Sequence, residues 1–221
     1  MTDETPIWRQ AIHDQEHPLH KAAWAFFSES FGVKYADRVL LDQRDEVIEF
    51  AFTILDTPEL YDESALGSGH APIHAIELLG HWKVTEALPR LFKILEEEEW
   101  ETVVHDKAIL ALEEIGESIV EDVMAFGDRM ADEDQKRTAS SILSKIGRGN
   151  QRAYNWMLDV FNRQTDEYDI LFMAENLLYC DRESAIPLLE ERIRNRIYSK
   201  AVRARLQKYI DDFRSGEWDD L

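Results

Sequence analysis

The stretch GSGHAPIHAIELLGHW, residues 67–82, holds three of the chain's seven histidines. Two imidazoles four residues apart on a helix, with a carboxylate beside them, are a recognised way to bind a divalent metal. His70, His74 and Glu77 have that spacing, and His81 follows them. Placing residues 100° apart gathers Pro72, Ala75, Ile76 and Leu79 on one side of such a helix and His70, His74 and Glu77 on the other. The group is therefore read as a solvated polar face with His70 and His74 largely exposed. Gly80 is expected to end the helix before His81 joins it, so no metal or cofactor is assigned.

Other chemistry is equally sparse. Cys180 is the single cysteine and has no neighbouring histidine, so it reads as a small buried residue rather than an activated thiolate. There is no Gly-x-Ser-x-Gly, no phosphate-binding glycine loop and no His-Glu-x-x-His. Carboxylate pairs are so frequent in this chain that none is diagnostic. No catalytic residue is assigned, and the chain is expected not to be an enzyme.

What positions these residues is an array of helices. The chain has 221 residues, 44% of them hydrophobic, with nine Gly and six Pro, which fits an ordered, mainly helical protein. Its 45 acidic and 25 basic residues give a net charge of −20, which repels phosphate backbones and anionic membranes, so no nucleic acid or membrane partner is expected. MTDETPIWRQ lacks the basic and apolar regions of a secretion signal, so a cytoplasmic location is expected.

An internal repeat is visible. Aligning APIHAIELLG (71–80), VHDKAILALEE (104–114), QKRTASSILS (135–144) and ILFMAENLLY (170–179) puts Ala75, Ala108, Ala139 and Ala174 in register. Each alanine precedes an apolar pair by three and four residues: Leu78 and Leu79, Ala111 and Leu112, Ile142 and Leu143, Leu177 and Leu178. Small residues let helices approach, and the pair completes a stripe of helical period. Second amphipathic segments follow at 85–95, 118–130, 152–161 and 184–193. Gly80, Gly116 and Gly147 are expected to stop the first helices in the left-handed conformation, and Pro89 and Pro187 to lie in the first turn of the second.

ELLGHWKVTEALPRLFKIL and LLYCDRESAIPLLEERI resemble the HEAT-like repeats of phycobilisome lyases, whose pattern runs Val-Arg-x-x-Ala-x-x-Ala-Leu-Gly, a short acidic turn, then Ala-Val/Ile-Pro-x-Leu. The resemblance covers about 71–213, with KAVRARLQKYIDDF (200–213) as a terminal helix; the second and third units lack the proline. It implies an all-α fold, an α/α superhelix of about four helix pairs starting near 71, 103, 134 and 168, with second helices lining a concave side. Residues 1–66 are expected to form an atypical helical N-terminal cap, 67–213 the repeat array and 214–221 an acidic tail. Within the cap, helical periodicity covers 18–57, and 56–69 reads as a loop. EEEEW (96–100) reads as a solvated helix end. Deoxyhypusine hydroxylase, a di-iron member of the wider class, uses His-Glu dipeptides; here no histidine is followed by Glu, and that activity is not expected.

The second helices carry the remaining signal. In the third unit Tyr154, Leu158 and Phe161 form the expected buried stripe, which sends Arg152, Trp156, Asp159 and Arg163 to the exposed side. The same construction gives Glu86, Arg90 and Lys93 in the first unit, Glu121, Ala125 and Asp128 in the second, Leu188, Glu191 and Asn195 in the fourth. Arg90, Ala125, Trp156 and Leu188 hold equivalent positions. An exposed Trp either anchors a protein partner inside a charged rim or packs on the adjacent repeat. The leading expectation is a non-enzymatic module binding a protein or peptide, possibly basic, along this concave face. The alternatives are a lyase or chaperone-like subunit acting on a protein-bound chromophore or cofactor, and a metal-dependent enzyme.

Overall fold

A computed structural model describes residues 5–97 and 102–216 of the chain. Every regular element among them is helical. The chain separates into two compact units, Met1–Ile115 and Gly116–Leu221, a boundary that falls inside the stretch read as one array.

The first unit holds α1 (Ile7–His13), α2 (His20–Phe27), α3 (Val33–Val39), α4 (Arg44–Leu55), α5 (His70–His81), α6 (Leu88–Glu97) and α7 (Val103–Ile115). The second holds α8 (Val120–Arg129), α9 (Glu133–Ile146), α10 (Gln151–Arg163), α11 (Glu167–Arg194) and α12 (Lys200–Ser215). First helices begin at 70, 103, 133 and 167, within one residue of the expected starts. The register alanines Ala75, Ala108, Ala139 and Ala174 are all fully buried, as are Leu79, Leu112 and Leu143 behind them. Small side chains at these positions bring α5 and α7 together so closely that a Cβ on Gly80 would lie 2.6 Å from the Cα of Ala111.

Side chains set several starts. Asp132, Asn150, Asp166 and Ser199 each accept a backbone N–H of the helix they precede, removing an orphan donor. Inside α11 the backbone breaks at Asp181 (φ −153°, ψ 87°), whose carboxylate then caps the following arm through the N–H of Ser184 at 3.2 Å. The expected polar break is thus a capped kink.

Four expectations fail on local grounds. Gly80 lies within α5, because α7 needs its missing Cβ, and His81 belongs to the helix. Gly147 follows α9 at φ −98°, so of the three expected stops only Gly116, at φ 90° and ψ −155°, uses a backbone reserved for glycine. Pro89 sits in the first turn of α6, whereas Pro187 falls in the second turn after the Asp181 kink. The cap is more broken than periodicity implies: α1 precedes it, α2 stops at Phe27, and the segment from 33 to 55 divides at Leu40 into α3, a short 3-10 turn and α4. The 56–69 loop includes a 3-10 turn at Pro58–Tyr61, and α12 runs to Ser215, two residues beyond the expected stop. Residues 98–100 of EEEEW and 217–221 of the acidic tail lie outside the described residues.

Candidate functional site

The histidine face is not a solvated one. His74 is 6% exposed, and its Nδ1–H donates to the carbonyl of Phe26 at 2.9 Å. Its ring lies between Phe31, 4.9 Å away, and His70, 5.6 Å away. Burial holds its pKa below the ordinary 6.5. The face opposite the apolar stripe of α5 is covered because α2 and the segment after it pack there, which a helical wheel cannot foresee. His70 is half-buried against His74.

The other members point elsewhere. Glu77 pairs with Lys107 of α7. His81 Nε2 lies 2.9 Å from Asp37 Oδ2, and the indole N–H of Trp82 donates to Asp37 Oδ1 at 3.0 Å. The hydrogen bond from His81, then that from Trp82, lowers the Asp37 pKa. Four residues adjacent in sequence therefore serve separate tertiary contacts. Among the described residues no three His, Cys, Asp or Glu side chains are grouped to hold a metal ion. Cys180 is buried with its Sγ–H directed at the Gly147 carbonyl, 3.1 Å away, and burial pushes its thiol up to about 12.

On the second helices, sequence reasoning selected residues that the fold ties together in pairs. In the first unit Arg90 of α6 grips Asp56, at the C-terminal end of α4, through Nη2 at 2.7 Å and Nε at 3.0 Å. Its guanidinium also lies 4.2 Å from the ring of Phe52. In the second unit Trp156 of α10 donates its indole N–H to Asp128 Oδ1 at 2.6 Å, and Asp128 is the penultimate residue of α8. Arg90 and Trp156, equivalent by sequence register, both bond to an Asp at the end of an earlier helix, α4 for Arg90 and α8 for Trp156. Arg152 adds a 2.6 Å bond to Glu121 of α8, and Arg192 reaches Asn162 of α10.

Trp156 is half-buried rather than exposed. Its six-membered ring fills the space beside Gly127, where an added Cβ would lie 2.4 Å from Cζ2. It packs on the adjacent repeat. The buried stripe of α10 also differs from the expected one: Ala153, Tyr154, Met157, Val160 and Phe161 form it, and Leu158 is half-buried. The pair of helices flanking α10 widens its buried arc beyond a narrow stripe.

No family model, curated protein or solved structure matches this chain.

The remaining selected positions fall into two kinds. Lys93, Glu121, Ala125, Arg152, Asp159 and Glu191 are exposed, with Lys93 facing Glu97 at 3.7 Å and Asp159 facing Arg163 at 3.4 Å one turn along their own helices. Arg90 and Leu188 are half-buried. Sequence reasoning placed Asp128 on the exposed side of the second unit without pairing it to Trp156, and missed Asp56, which orients Arg90. The one signal for Asp56 is an Asp at the end of the cap helix α4, 34 residues before Arg90. No helix among the described residues is long and apolar enough to cross a membrane.

Proposed function

We propose that the protein is a non-enzymatic, HEAT-like interaction module that binds a protein partner through its second helices. One observation carries this reading: within each unit, second helices are braced by side-chain bonds to a preceding helix, Arg90 to Asp56 at the end of α4 in the first, Trp156 to Asp128 and Arg152 to Glu121 of α8 in the second. Exposed ion pairs of this kind contribute little to stability, about 0–1 kcal/mol each. Their value is that they hold charged groups in place before a partner arrives, so less side-chain entropy is lost on binding.

The exposed charges Lys93, Glu121, Arg152, Asp159 and Glu191 then steer association and select the partner's sign of charge. Ala125 and Leu188 supply small apolar contacts between them. The chain's excess of acidic residues favours a basic partner and disfavours nucleic acid. Trp156 supports the surface from beneath, and its truncation acts on binding by releasing Asp128.

The test is quantitative affinity capture from the source cells. A triple reversal on second helices, Glu121→Lys, Asp159→Lys and Glu191→Lys, is compared with Asp106→Lys, Glu114→Lys and Glu167→Lys on first helices, which carries the same charge change. The proposal expects partners to be lost from the former and kept by the latter. Equal retention by both would overturn it.

A further inference from the structure

Over α4 in the first unit lies an open groove of about 750 Å³. The spacing of α4 builds its floor: Arg44, Ile48 and Phe52 form one i, i+4 row, and Asp45, Glu49 and Thr53 form the row beside it. An apolar row thus runs along an acidic one. Leu19, Val84 and Ile7 of α1 extend the apolar lining, and Ile7 remains 43% exposed. Glu46 and Glu86 extend the acidic rim.

The rim's charge is not neutralised internally. Among the described residues Arg44 is its one cation, and it turns away to the backbone carbonyl of Trp82 at 3.2 Å, with its nearest carboxylate contact to Asp45 at 3.7 Å. Among the described residues Glu46, Glu49 and Glu86 have no ion pair, and Glu86 accepts a long 3.5 Å bond from the Thr85 hydroxyl. Arg90, on the far side of Phe52, is committed to Asp56. Acidic residues in a helix's first turn are favoured by its dipole, which accounts for Asp45 and Glu46. Glu49 stands a turn further on, four residues from Asp45 and three from Glu46, where like charges oppose one another. An apolar floor beside uncompensated carboxylates suits a ligand with the converse pattern.

We infer that this groove is a docking site for a basic amphipathic peptide segment, one presenting aliphatic side chains to Ile48, Phe52 and Val84 and Lys or Arg to Glu46, Glu49 and Glu86. The inference rests on the interaction role proposed above and adds to the second-helix surface a further docking position over α4, with a partner chemistry. The aliphatic side chains provide affinity by leaving water, and the cations provide register and encounter rate. A groove of this size accommodates several side chains of such a segment.

The experiment is fluorescence anisotropy at low and physiological salt with a labelled synthetic peptide of about 18 residues, long enough to form a helix. The probe carries leucine and lysine in adjacent i, i+4 rows on an alanine and glutamine background. Glu46→Lys with Glu49→Lys is expected to weaken binding at least about tenfold, a loss of about 1.4 kcal/mol. Glu114→Lys with Glu167→Lys, the same charge change at exposed positions on first helices, is expected to leave it within about twofold. A probe with serine for leucine is expected to lose binding. Because a double reversal could disturb α4, Glu49→Gln serves as a neutral second variant, expected to weaken the probe with an unchanged melting midpoint. Failure of the wild type to bind, equal weakening by both double variants, or equal binding of the serine probe would overturn the inference. Loss confined to a third variant, Glu121→Lys with Asp159→Lys, would also overturn it while leaving the second-helix reading in place.

Discussion

Replacing Gly80 by alanine tests the helix packing on which everything else depends. In an isolated helix the change is favourable by about 1 kcal/mol, because glycine has more backbone freedom to lose. In this fold the new Cβ would stand 2.6 Å from the Cα and 2.8 Å from the Cβ of Ala111. Carbon atoms in good contact sit about 3.5–4.0 Å apart, so α5 and α7 would have to separate by about 1 Å. The obstacle includes backbone and cannot swing aside as a side chain could. Overpacking of this kind costs about 1–3 kcal/mol, and against a rigid helix the upper part of that range applies. The net expectation is a loss of about 1–2 kcal/mol, equivalent to a melting midpoint lower by about 2–8 °C for a chain of this size. Ala111→Gly in the same chain should not restore it, since the Cα at 2.6 Å remains. Gly32→Ala, where no atom lies within 4 Å of the new Cβ, is the control. Thermal unfolding followed by circular dichroism gives all three values. A Gly80→Ala protein that melts at or above wild type would refute the close approach of α5 and α7.

Three further outcomes are expected. Trp156→Ala, which removes the bond to Asp128 and the ring beside Gly127, should lower stability by about 2 kcal/mol in urea unfolding; an unchanged midpoint would mean the ring is not packed on α8. Burial keeps the His74 pKa below 6.5, so the folded state prefers the neutral ring and loses stability as pH falls from 6.5 toward the lower folded value, with no loss above it. His74→Gln should therefore show a shallower drop in melting midpoint between pH 7 and pH 5 than wild type, and equal slopes would contradict the buried placement. Burial raises the Glu175 pKa, with Lys145 partly opposing it, so its ionised form costs stability as pH rises through the ordinary carboxylate range. Glu175→Gln should raise the neutral-pH melting midpoint, and a lowered one would show that the ionised carboxylate is stabilising.

The repeat was readable because its signal is periodic and local. Ala75, Ala108, Ala139 and Ala174 sit at the closest packed points of the first helices, where only a small side chain fits, and the fold buries all four completely. Helix starts followed from the same register, whereas the side chains that cap them, Asp132, Asn150, Asp166 and Ser199, are local signals that the repeat pattern does not contain. His74 was not. Its burial depends on Phe26, 48 residues earlier, and a helical wheel reports the residues of one helix without knowing what covers it. Gly80 misled for the same reason, because its role is set by Ala111 on α7 rather than by its own helix. Trp156 shows the limit most clearly: the wheel placed it opposite the main stripe, yet Gly127 and Asp128 on α8 give that position a partner. The equivalence of Arg90 and Trp156 was legible from register and Asp128 was placed on the exposed side of its helix, whereas Asp56 and both pairings depend on tertiary contacts 34 and 28 residues apart.

The central claim is that a protein partner contacts the second helices. Hydrogen exchange of the full chain, with and without a captured partner at saturating concentration, tests this most directly. Added protection should concentrate in Leu88–Glu97, Val120–Arg129 and Gln151–Arg163, the helices α6, α8 and α10. Protection confined instead to α5, α7 and α9 would contradict the account.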